Sequence, residues 1–315
     1  MPVLSWRGAA LTRRDPTIDL PRPQPGRERL PHFSSTSTRV RLLETCSNPG
    51  CETGWLHLWR SRSVPLIEGG WTCSSGCTAE RLKAIVTREF DGRGSTVDRH
   101  RHRVPLGLLM LEQGWITALQ LRGALQGQRE NGAGRLGHWL VAREGVSELL
   151  VTRALGLQWS CPVLPLESHD PEALAPLLPR FFVDAFGALP LRIAAGKLLY
   201  LGFEDQLDPV LALALERMSG LRVECGLVQG SLFQGAHTRM LEASFPPVEL
   251  LEAASEPALV RALTRRVEQV RPIESRLVRV HDCLWLRMWK KSQSGPLADP
   301  STLQDVICTI SSDKS

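Results

Sequence analysis

The sequence predicts an α+β multidomain protein, and three observations lead to that prediction. Four of the eight cysteines fall in two close pairs, which predicts a small zinc-ribbon or treble-clef-like unit. The segment 105–128 is followed by a similar segment at 135–158, and such a repeat predicts two helical hairpins in tandem. After the repeat, the apolar pattern switches between helical and strand periods in the order α-β-β-α-β-α.

The composition is that of an ordinary globular protein. The chain has 315 residues, with 43% hydrophobic and 23% charged residues and a net charge of +5. This charge is too small to indicate a nucleic-acid partner by itself. No apolar run approaches the roughly 20 residues that span a bilayer, and residues 1–20 lack the apolar core of a signal peptide. We therefore expect a cytoplasmic, reducing location, where cysteines serve as metal ligands or thiols more often than as disulfides.

Two segments have too few apolar residues to form a hydrophobic core. Residues 1–38 are polar and rich in proline and arginine, which predicts a disordered tail. Residues 93–103 form a linker that ends in alternating histidine and arginine. A solvated hinge is the simpler interpretation of the linker, and contact with phosphate or an acidic partner is the alternative.

A four-cysteine zinc finger is predicted for residues 39–92. The spacing is C-x4-C, then 21 residues, then C-x3-C, and each pair lies on a loop rich in Gly, Pro, Asn or Ser. Four thiolates complete a tetrahedral shell, so the zinc would be structural rather than catalytic. Four free thiols in a small core are the alternative. The predicted metal ligands are Cys46, Cys51, Cys73 and Cys77.

Local signals predict the elements around these cysteines. Residues 54–58 and 63–67 read as short strands, and a helix is expected from Thr78 to about Phe90. Cys77 would then stand at a helix N-terminus, where thiolate charge is favoured. His57 is interpreted as a strand residue at the surface rather than as a ligand.

The tandem repeat is predicted to occupy residues 104–166. In the first copy Gly114 ends one helix and Thr117 begins the next as its N-cap. Ser147 has the role of Thr117 in the second copy. The second helix of each copy carries two apolar residues four apart and ends on a glutamine, so these side chains share one face. They are Leu121, Leu125 and Gln128 in copy one and Val151, Leu155 and Gln158 in copy two.

This double pattern resembles the N-terminal domain of type II secretion and type IV pilus assembly ATPases, the GspE/MshE family. In the variant called MshEN, two tandem motifs of the form R-L-G-x-x-[LVI]-[LVI]-x-x-G-[LVI]-[LVI]-x4-L-x3-L-x2-Q bind cyclic-di-GMP. The resemblance covers about residues 104–240. It implies a ligand site made of Leu106, Gly107, Leu121, Leu125, Gln128, Arg135, Leu136, Gly137, Val151, Leu155 and Gln158.

Both copies depart from the family motif. Copy one has Pro105 where the motif has arginine, and Arg103 lies two places earlier. Copy two has Arg135, but its turn glycine is Gly145, one place late, with Glu144 at the glycine position. If the leucines instead form the core and the glutamines are surface caps, the repeat has kept the fold without the ligand.

Residues 167–245 correspond, by the resemblance, to the second half of the GspE N-terminal domain. A hairpin is expected on either side of Ala195 and Gly196, and Asp208 with Pro209 begins a helix that ends at Gly220. A strand over 221–228 and a helix capped by Ser231 complete the predicted subdomain.

Residues 246–291 are predicted as a basic C-terminal extension and residues 292–315 as a mobile tail. The extension has a helix at 257–270 with three arginines on its polar side, then an alternating segment at 275–289 that reads as strands or an amphipathic helix. Its basic and aromatic residues suit a nucleic acid or an anionic surface, or else the edge of a core. They are Arg261, Arg265, Arg266, Trp285, Trp289, Lys290 and Lys291.

The sequence lacks the common catalytic motifs. There is no G-x4-G-K-[ST] loop for an ATPase, no G-x-S-x-G elbow and no H-E-x-x-H helix. These absences predict a non-enzymatic protein. The resemblance to the GspE/MshE family implies a regulatory or adaptor role in a secretion or pilus machinery, with cyclic-di-GMP as the ligand sensed. The alternatives are a zinc-finger regulator that binds nucleic acid and a protein–protein scaffold with a degenerate nucleotide site.

Overall fold

Ten α-helices and three β-sheets make up the part of the chain that the structure, a computed structural model, describes. The predicted α+β class is confirmed. No helix in this part is both long enough and apolar enough to cross a membrane. The described residues are 46–52, 65–92, 103–167, 169–292 and 297–311. The predicted tail at 1–38, the strand at 54–58 with His57, and most of the linker at 93–103 lie outside them.

The cysteine-bearing region folds as a hairpin followed by a long helix. Strands β1 (Leu66–Ile67) and β2 (Gly70–Trp71) pair antiparallel, and α1 (Ser75–Asp91) comes next. The Ser74 side chain accepts a hydrogen bond from the backbone N–H of Cys77, which caps the helix. Because of this cap, α1 begins three residues before the predicted start at Thr78.

Each copy of the repeat folds as two helices joined by a turn. Copy one forms α2 (Leu106–Glu112) and α3 (Ala118–Asn131), and copy two forms α4 (Leu136–Ala142) and α5 (Glu148–Trp159). Gly114 (φ +69°) and Gly145 (φ +65°) both adopt the left-handed conformation in the turns, so the displaced glycine of copy two keeps its role. Thr117 and Gln120 form a complete capping box at the start of α3.

The next segment contains the predicted α-β-β-α-β-α order. After the short α6 (Pro171–Leu174) the elements are α7 (Arg180–Phe186), β3 (Leu189–Ala194), β4 (Leu198–Phe203), α8 (Pro209–Ser219), β5 (Arg222–Leu227) and α9 (Gly230–Leu241). β3 and β4 form an antiparallel hairpin, and β5 pairs parallel to β4 after the crossover through α8. Asp208 caps α8 by accepting from two backbone N–H groups at 3.0 Å. Ser231 does not cap α9, since its backbone N–H and hydroxyl are bound by Glu148 instead.

The C-terminal region is a sheet rather than an extension and a tail. The elements are β6 (Val248–Ala253), α10 (Glu256–Val270), β7 (Glu274–Val280), β8 (Cys283–Trp289) and β9 (Leu303–Ile310), with strand order β6-β9-β8-β7. β9 lies between β6 and β8, which corrects the predicted mobile tail at 292–315. The polar composition of this segment suggested a tail, but Asp305 within it is fully buried and paired with Arg287.

The predicted zinc finger and C-terminal extension share one hydrophobic core, which corrects the boundary drawn between them. One face of α1 packs against α10 and the four-stranded sheet. A helix with one apolar face must cover that face, and α1 does so with a partner far away in sequence. The buried residues of this core include Ile67, Leu82, Ile85, Val86, Leu259, Leu263, Leu277 and Leu286.

A buried ionic network joins this sheet to the segment after α6. Arg287 donates to both carboxylate oxygens of Asp305 at 2.7 Å, and Trp285 Nε1 donates to Asp305 at 2.8 Å. Arg287 Nη1 also donates to the carbonyl of Pro176 at 2.7 Å. These bonds satisfy a carboxylate and a guanidinium that are both excluded from water.

We expect Asp305→Ala to destabilise the protein strongly. The substitution leaves the Arg287 guanidinium buried without its counter-ion, which costs roughly 3–5 kcal/mol of unfolding free energy in comparable pairs. Urea denaturation followed by circular dichroism measures the change. Asp282→Ala is the matched control, because this aspartate is fully exposed, and it should unfold like the wild type. Equal midpoints for the two variants would contradict the assigned network.

Candidate functional site

The four predicted metal ligands come together in one cluster. The Sγ atoms of Cys46, Cys51, Cys73 and Cys77 all lie within 4.8 Å of one another. The Cys51–Cys73 and Cys73–Cys77 Sγ distances are both 3.6 Å. A tetrahedral ion with metal–sulfur bonds of about 2.3 Å places its sulfurs about 3.8 Å apart. The cluster therefore has the size and the donor atoms of a closed four-thiolate metal site.

Backbone contacts bring the two cysteine loops together. The Ser47 N–H donates to the carbonyl of Trp71 at 2.8 Å, and a Cβ added to Gly70 would lie 2.5 Å from the Ser47 Cβ. The first loop thus rests directly on β2, at the place where β2 has no side chain. Cys77 lies in the first turn of α1 and is buried. Loop, hairpin and helix start each contribute to the position of the sulfurs.

Without a cation, the surroundings of Cys46 favour the neutral thiol. Burial, together with the neighbouring thiols of Cys77 and Cys73, raises the pKa of Cys46 to about 12. A sulfur in this setting becomes a thiolate only when a positive charge stands beside it. A bound metal ion supplies such a charge to all four sulfurs.

The second candidate site lies where the starts of α2 and α4 meet. A Cβ on Gly107 would lie 2.5 Å from Leu121 and 3.0 Å from Leu136. A Cβ on Gly137 would lie 2.7 Å from Val151 and 3.7 Å from Leu106. Each glycine therefore touches the second helix of its own copy and the leucine of the other copy. The two copies face each other in an approximately two-fold arrangement.

The closing glutamines make the same contact in both copies. Gln128 Nε2 donates to the carbonyl of Gly134 at 2.8 Å, immediately before copy two begins. Gln158 Nε2 donates to the carbonyl of Val104 at 2.7 Å, immediately before copy one begins. Each copy thus holds the entry segment of the other. Both glutamines therefore fix the position of an entry segment.

Arg135 is the motif arginine of copy two, and its side chain is exposed. Its guanidinium donates to Asp205, which follows β4. The Arg135 side chain is 70% exposed, and an exposed ion pair of this kind contributes little free energy. A phosphate group can therefore compete with Asp205 for Arg135. Copy one has Pro105 at the equivalent place, and this proline serves as the N-cap residue of α2.

Glu148 joins the tandem repeat to the α/β region. Its carboxylate accepts from the Ser231 N–H at 2.7 Å, the Ser231 hydroxyl at 2.6 Å and Gln229 Nε2 at 2.9 Å. Burial alone would raise the pKa of Glu148, but these donors outweigh it and lower the pKa. Neighbouring Glu204 has a raised pKa because of burial and the charge of Asp205. Sequence reasoning missed Glu148 and Asp205, since both act on partners distant in the chain.

The predicted ligand-binding residues differ in their exposure. Gly107, Gly137 and Val151 are buried, and Val151 belongs to the hydrophobic core of the repeat. Arg135 is exposed. The remaining members are half-buried, so they line the surface above that core: Leu106, Leu121, Leu125, Gln128, Leu136, Leu155 and Gln158.

The two tryptophans of the predicted basic and aromatic patch are buried or half-buried, whereas Arg261, Arg265, Lys290 and Lys291 are exposed. Trp285 is fully buried, because β8 has a hydrophobic core on each of its faces. Trp289 is half-buried, with the Arg276 guanidinium 5.5 Å from its ring centre. Arg276 also donates to Glu274 and to the carbonyl of Met218. Trp285, Trp289 and Arg276 therefore stabilise the sheet.

The remaining cysteines are shielded thiols. Burial raises the pKa of Cys161 and Cys283, and it raises the pKa of Cys225 and Cys308 to about 12. His281 does not pair with Cys283, since its Nε2 lies 2.6 Å from Asp208 Oδ2. These groups offer no activated nucleophile.

No family model and no curated protein matches the chain. Among solved structures, the chain is similar to MshE with cdg (cyclic-di-GMP), at 28% identity and a TM-score of 0.35, over 44% of this chain and 99% of that chain. It is also similar to the N-terminal domain of XpsE in two crystal forms, at 20% and 21% identity, with TM-scores of 0.29 and 0.24. These matches cover 44% and 41% of this chain and 91% and 90% of those chains.

The matches agree with the resemblance to GspE/MshE N-terminal domains that the tandem motif carries. Their TM-scores are low, so neither a ligand nor a partner follows from them for this chain.

We expect Gly137→Ala to destabilise the tandem repeat. The new methyl group would press on Val151, a stiff β-branched side chain in the core, and overpacking of this kind costs about 1–3 kcal/mol. Gly123→Ala is the matched control. There the methyl group meets only the end of the Glu144 side chain, which can move, and alanine favours the α3 helix by roughly 1 kcal/mol.

The two substitutions should change the unfolding temperature in different directions. Thermal unfolding should show Gly137→Ala below the wild type and Gly123→Ala at or above it. If Gly137→Ala unfolds at the wild-type temperature, the close approach of α4 to α5 is wrong.

Proposed function

We propose that the tandem repeat binds cyclic-di-GMP and that the protein is a non-enzymatic regulator or adaptor of a secretion or pilus-type machinery. The observation that carries the proposal is the reciprocal contact of Leu106 with Gly137 and of Leu136 with Gly107. It places two equivalent helix starts side by side. Cyclic-di-GMP has two equivalent halves, and a site with approximate two-fold symmetry suits a ligand with that symmetry.

The chemistry of the proposed site matches the ligand. Arg135 offers a guanidinium for a phosphate, at a place where its present partner Asp205 is weakly held. The half-buried leucines around the two glycines offer apolar surface for the guanine bases. Gln128 and Gln158 hold the two entry segments in position. The site therefore combines charge, apolar surface and a fixed backbone.

Regulation would pass from this site to the rest of the chain through Glu148. A ligand that bridges α2 and α4 fixes the angle between the two copies. Glu148 stands at the first position of α5 and binds the start of α9. A change in the position of copy two is therefore transmitted to the α/β region. A protein of the machinery would recognise the resulting arrangement.

We further propose that Cys46, Cys51, Cys73 and Cys77 hold a structural Zn²⁺. The sulfur-to-sulfur distances and the all-thiol donor set support this choice of metal. A bound zinc ion offsets two of the four thiolate charges and fixes the first loop to the hairpin and to α1. Four protein ligands leave no open coordination position, so the ion would not take part in catalysis.

We expect Arg135→Ala to weaken cyclic-di-GMP binding by about 10–100-fold, since hydrogen bonds between charged groups contribute roughly 1.5–3 kcal/mol. Calorimetric titration of the full chain measures the affinity, with GTP and ATP as ligand controls. Arg122→Ala is the matched protein control. It removes an exposed arginine of the same repeat, which donates to the Ala118 carbonyl of its own helix.

The proposal predicts a selective response to the cyclic dinucleotide. Wild type and Arg122→Ala should bind with the same affinity, while GTP and ATP produce no heat. The absence of heat from wild type with cyclic-di-GMP would contradict the proposed ligand.

We expect the purified protein to contain one zinc ion per chain and Cys46→Ser to lack it. Elemental analysis measures the metal content. Cys161→Ser is the control, because Cys161 is half-buried and lies outside the cluster, and it should keep the ion. Removal of zinc with a chelator should lower the unfolding temperature of wild type. Wild-type protein without metal, or Cys46→Ser with a full complement, would refute the zinc site.

A further inference from the structure

A comparison of the two copies shows that copy one lacks the arginine with which copy two begins. Copy two begins with Arg135, whereas copy one has Pro105 at that place. The backbone contacts of the two starts are equivalent, since each entry carbonyl is held by the glutamine of the other copy. A ligand with two anionic groups would therefore meet a guanidinium in copy two and none at the matching position in copy one.

Arg103 lies two residues before Pro105, the position at which copy one lacks the motif arginine. Its guanidinium carbon lies 3.2 Å from the centre of the Trp159 ring, which is a close cation–π contact. Trp159 is the last residue of α5 and directly follows Gln158. Gln158 binds the carbonyl of Val104, the residue after Arg103. The end of α5 therefore contacts both the Arg103 side chain and the backbone next to it.

The two entry segments contact different tryptophans: Trp159 stacks on the Arg103 side chain, whereas Trp139 donates to the backbone carbonyl of Ala133 at 3.1 Å. The residue that follows Gln128 in copy one is Arg129, whereas Trp159 follows Gln158 in copy two. Copy two carries Ala133 at the place equivalent to Arg103. The side that lacks the motif arginine therefore has both a displaced arginine and an aromatic ring that holds it. Arg103 and Trp159 together distinguish the two halves.

The guanidinium of Arg103 keeps its charge open to an anion. Within the described ranges, Arg103 forms no ion pair with a carboxylate, in contrast to Arg135 with Asp205. Stacking uses the flat face of a guanidinium and leaves the N–H groups at its edge free to donate. An arginine held in this way can bind a phosphate oxygen without losing its stacking partner.

We propose that Arg103 supplies the phosphate-binding cation of copy one in place of the missing arginine at position 105. The inference rests on the proposed function and specifies it. The ligand would be a dinucleotide with two phosphates, one bound by Arg135 and the other by Arg103. Trp159 positions Arg103 and does not itself contact a phosphate.

The test is calorimetric titration of the full chain with cyclic-di-GMP. Arg103→Ala should lower the affinity at least 10-fold, and Arg103→Lys, which keeps the charge but stacks and donates less well, should lower it less. Trp159→Ala should also weaken binding, because the guanidinium loses its support. Arg122→Ala should match the wild type.

A rescue variant separates a contact from a structural effect. Pro105→Arg in the Arg103→Ala background restores an arginine at the motif position and should return the affinity to within about threefold of wild type, about 0.7 kcal/mol. The exchange preserves the cap of α2, since only the carbonyl of Pro105 serves the helix.

The outcomes distinguish this inference from the proposal beneath it. If Arg103→Ala binds as well as Arg122→Ala while Arg135→Ala is weak, Arg103 has no role and the proposed function stands. If Arg103→Ala is weak and Pro105→Arg fails to rescue it, the assignment of a displaced cation is also overturned. If wild type itself does not bind, the proposed function fails, and this inference fails with it.

Discussion

The close approach of α2 and α4 is the constraint on which the candidate ligand site depends. Gly107 and Gly137 lack the side chain that would hold the helices apart, so Leu106 and Leu136 reach across to the other copy. The entry segments then lie within reach of Gln128 and Gln158. Two helix starts with matching backbone contacts follow from this packing.

The other regions of the molecule attach to the repeat and to one another through buried or half-buried carboxylates. Glu148 ties copy two to α9, and Asp305 ties the C-terminal strands to one another. Glu89 of α1 accepts from Arg217 of α8 and from the Arg279 N–H. Burial alone would raise the pKa of Glu89, but Arg217 and Arg88 outweigh it and lower the pKa. Glu148 and Glu89 thus connect regions that are distant in sequence, and Asp305 connects two strands of one sheet.

Local signals in the sequence were sufficient for the repeat and for much of the α/β region after it. Thr117, Gly114 and Asp208 act on residues within four positions, so their roles could be read directly. β9, Asp305 and the β2 strand at Gly70 could not, because each depends on a partner brought close by folding. The same limit applies to the site. The motif indicates Arg135 and the glycines, whereas Asp205 and the Arg103–Trp159 stack appear only in three dimensions.

Backbone amide NMR of the full chain, titrated with cyclic-di-GMP, is the decisive measurement for a site shared by the two copies. We expect saturable shifts at the starts of both helices, at Leu106, Gly107, Leu136 and Gly137, with one ligand bound per chain. We expect little change in the amide shifts of β8 and β9, which contribute buried residues to the other two hydrophobic cores and not to that of the repeat. Shifts confined to one copy, or found only in the C-terminal sheet, would contradict a site that both halves of the repeat form.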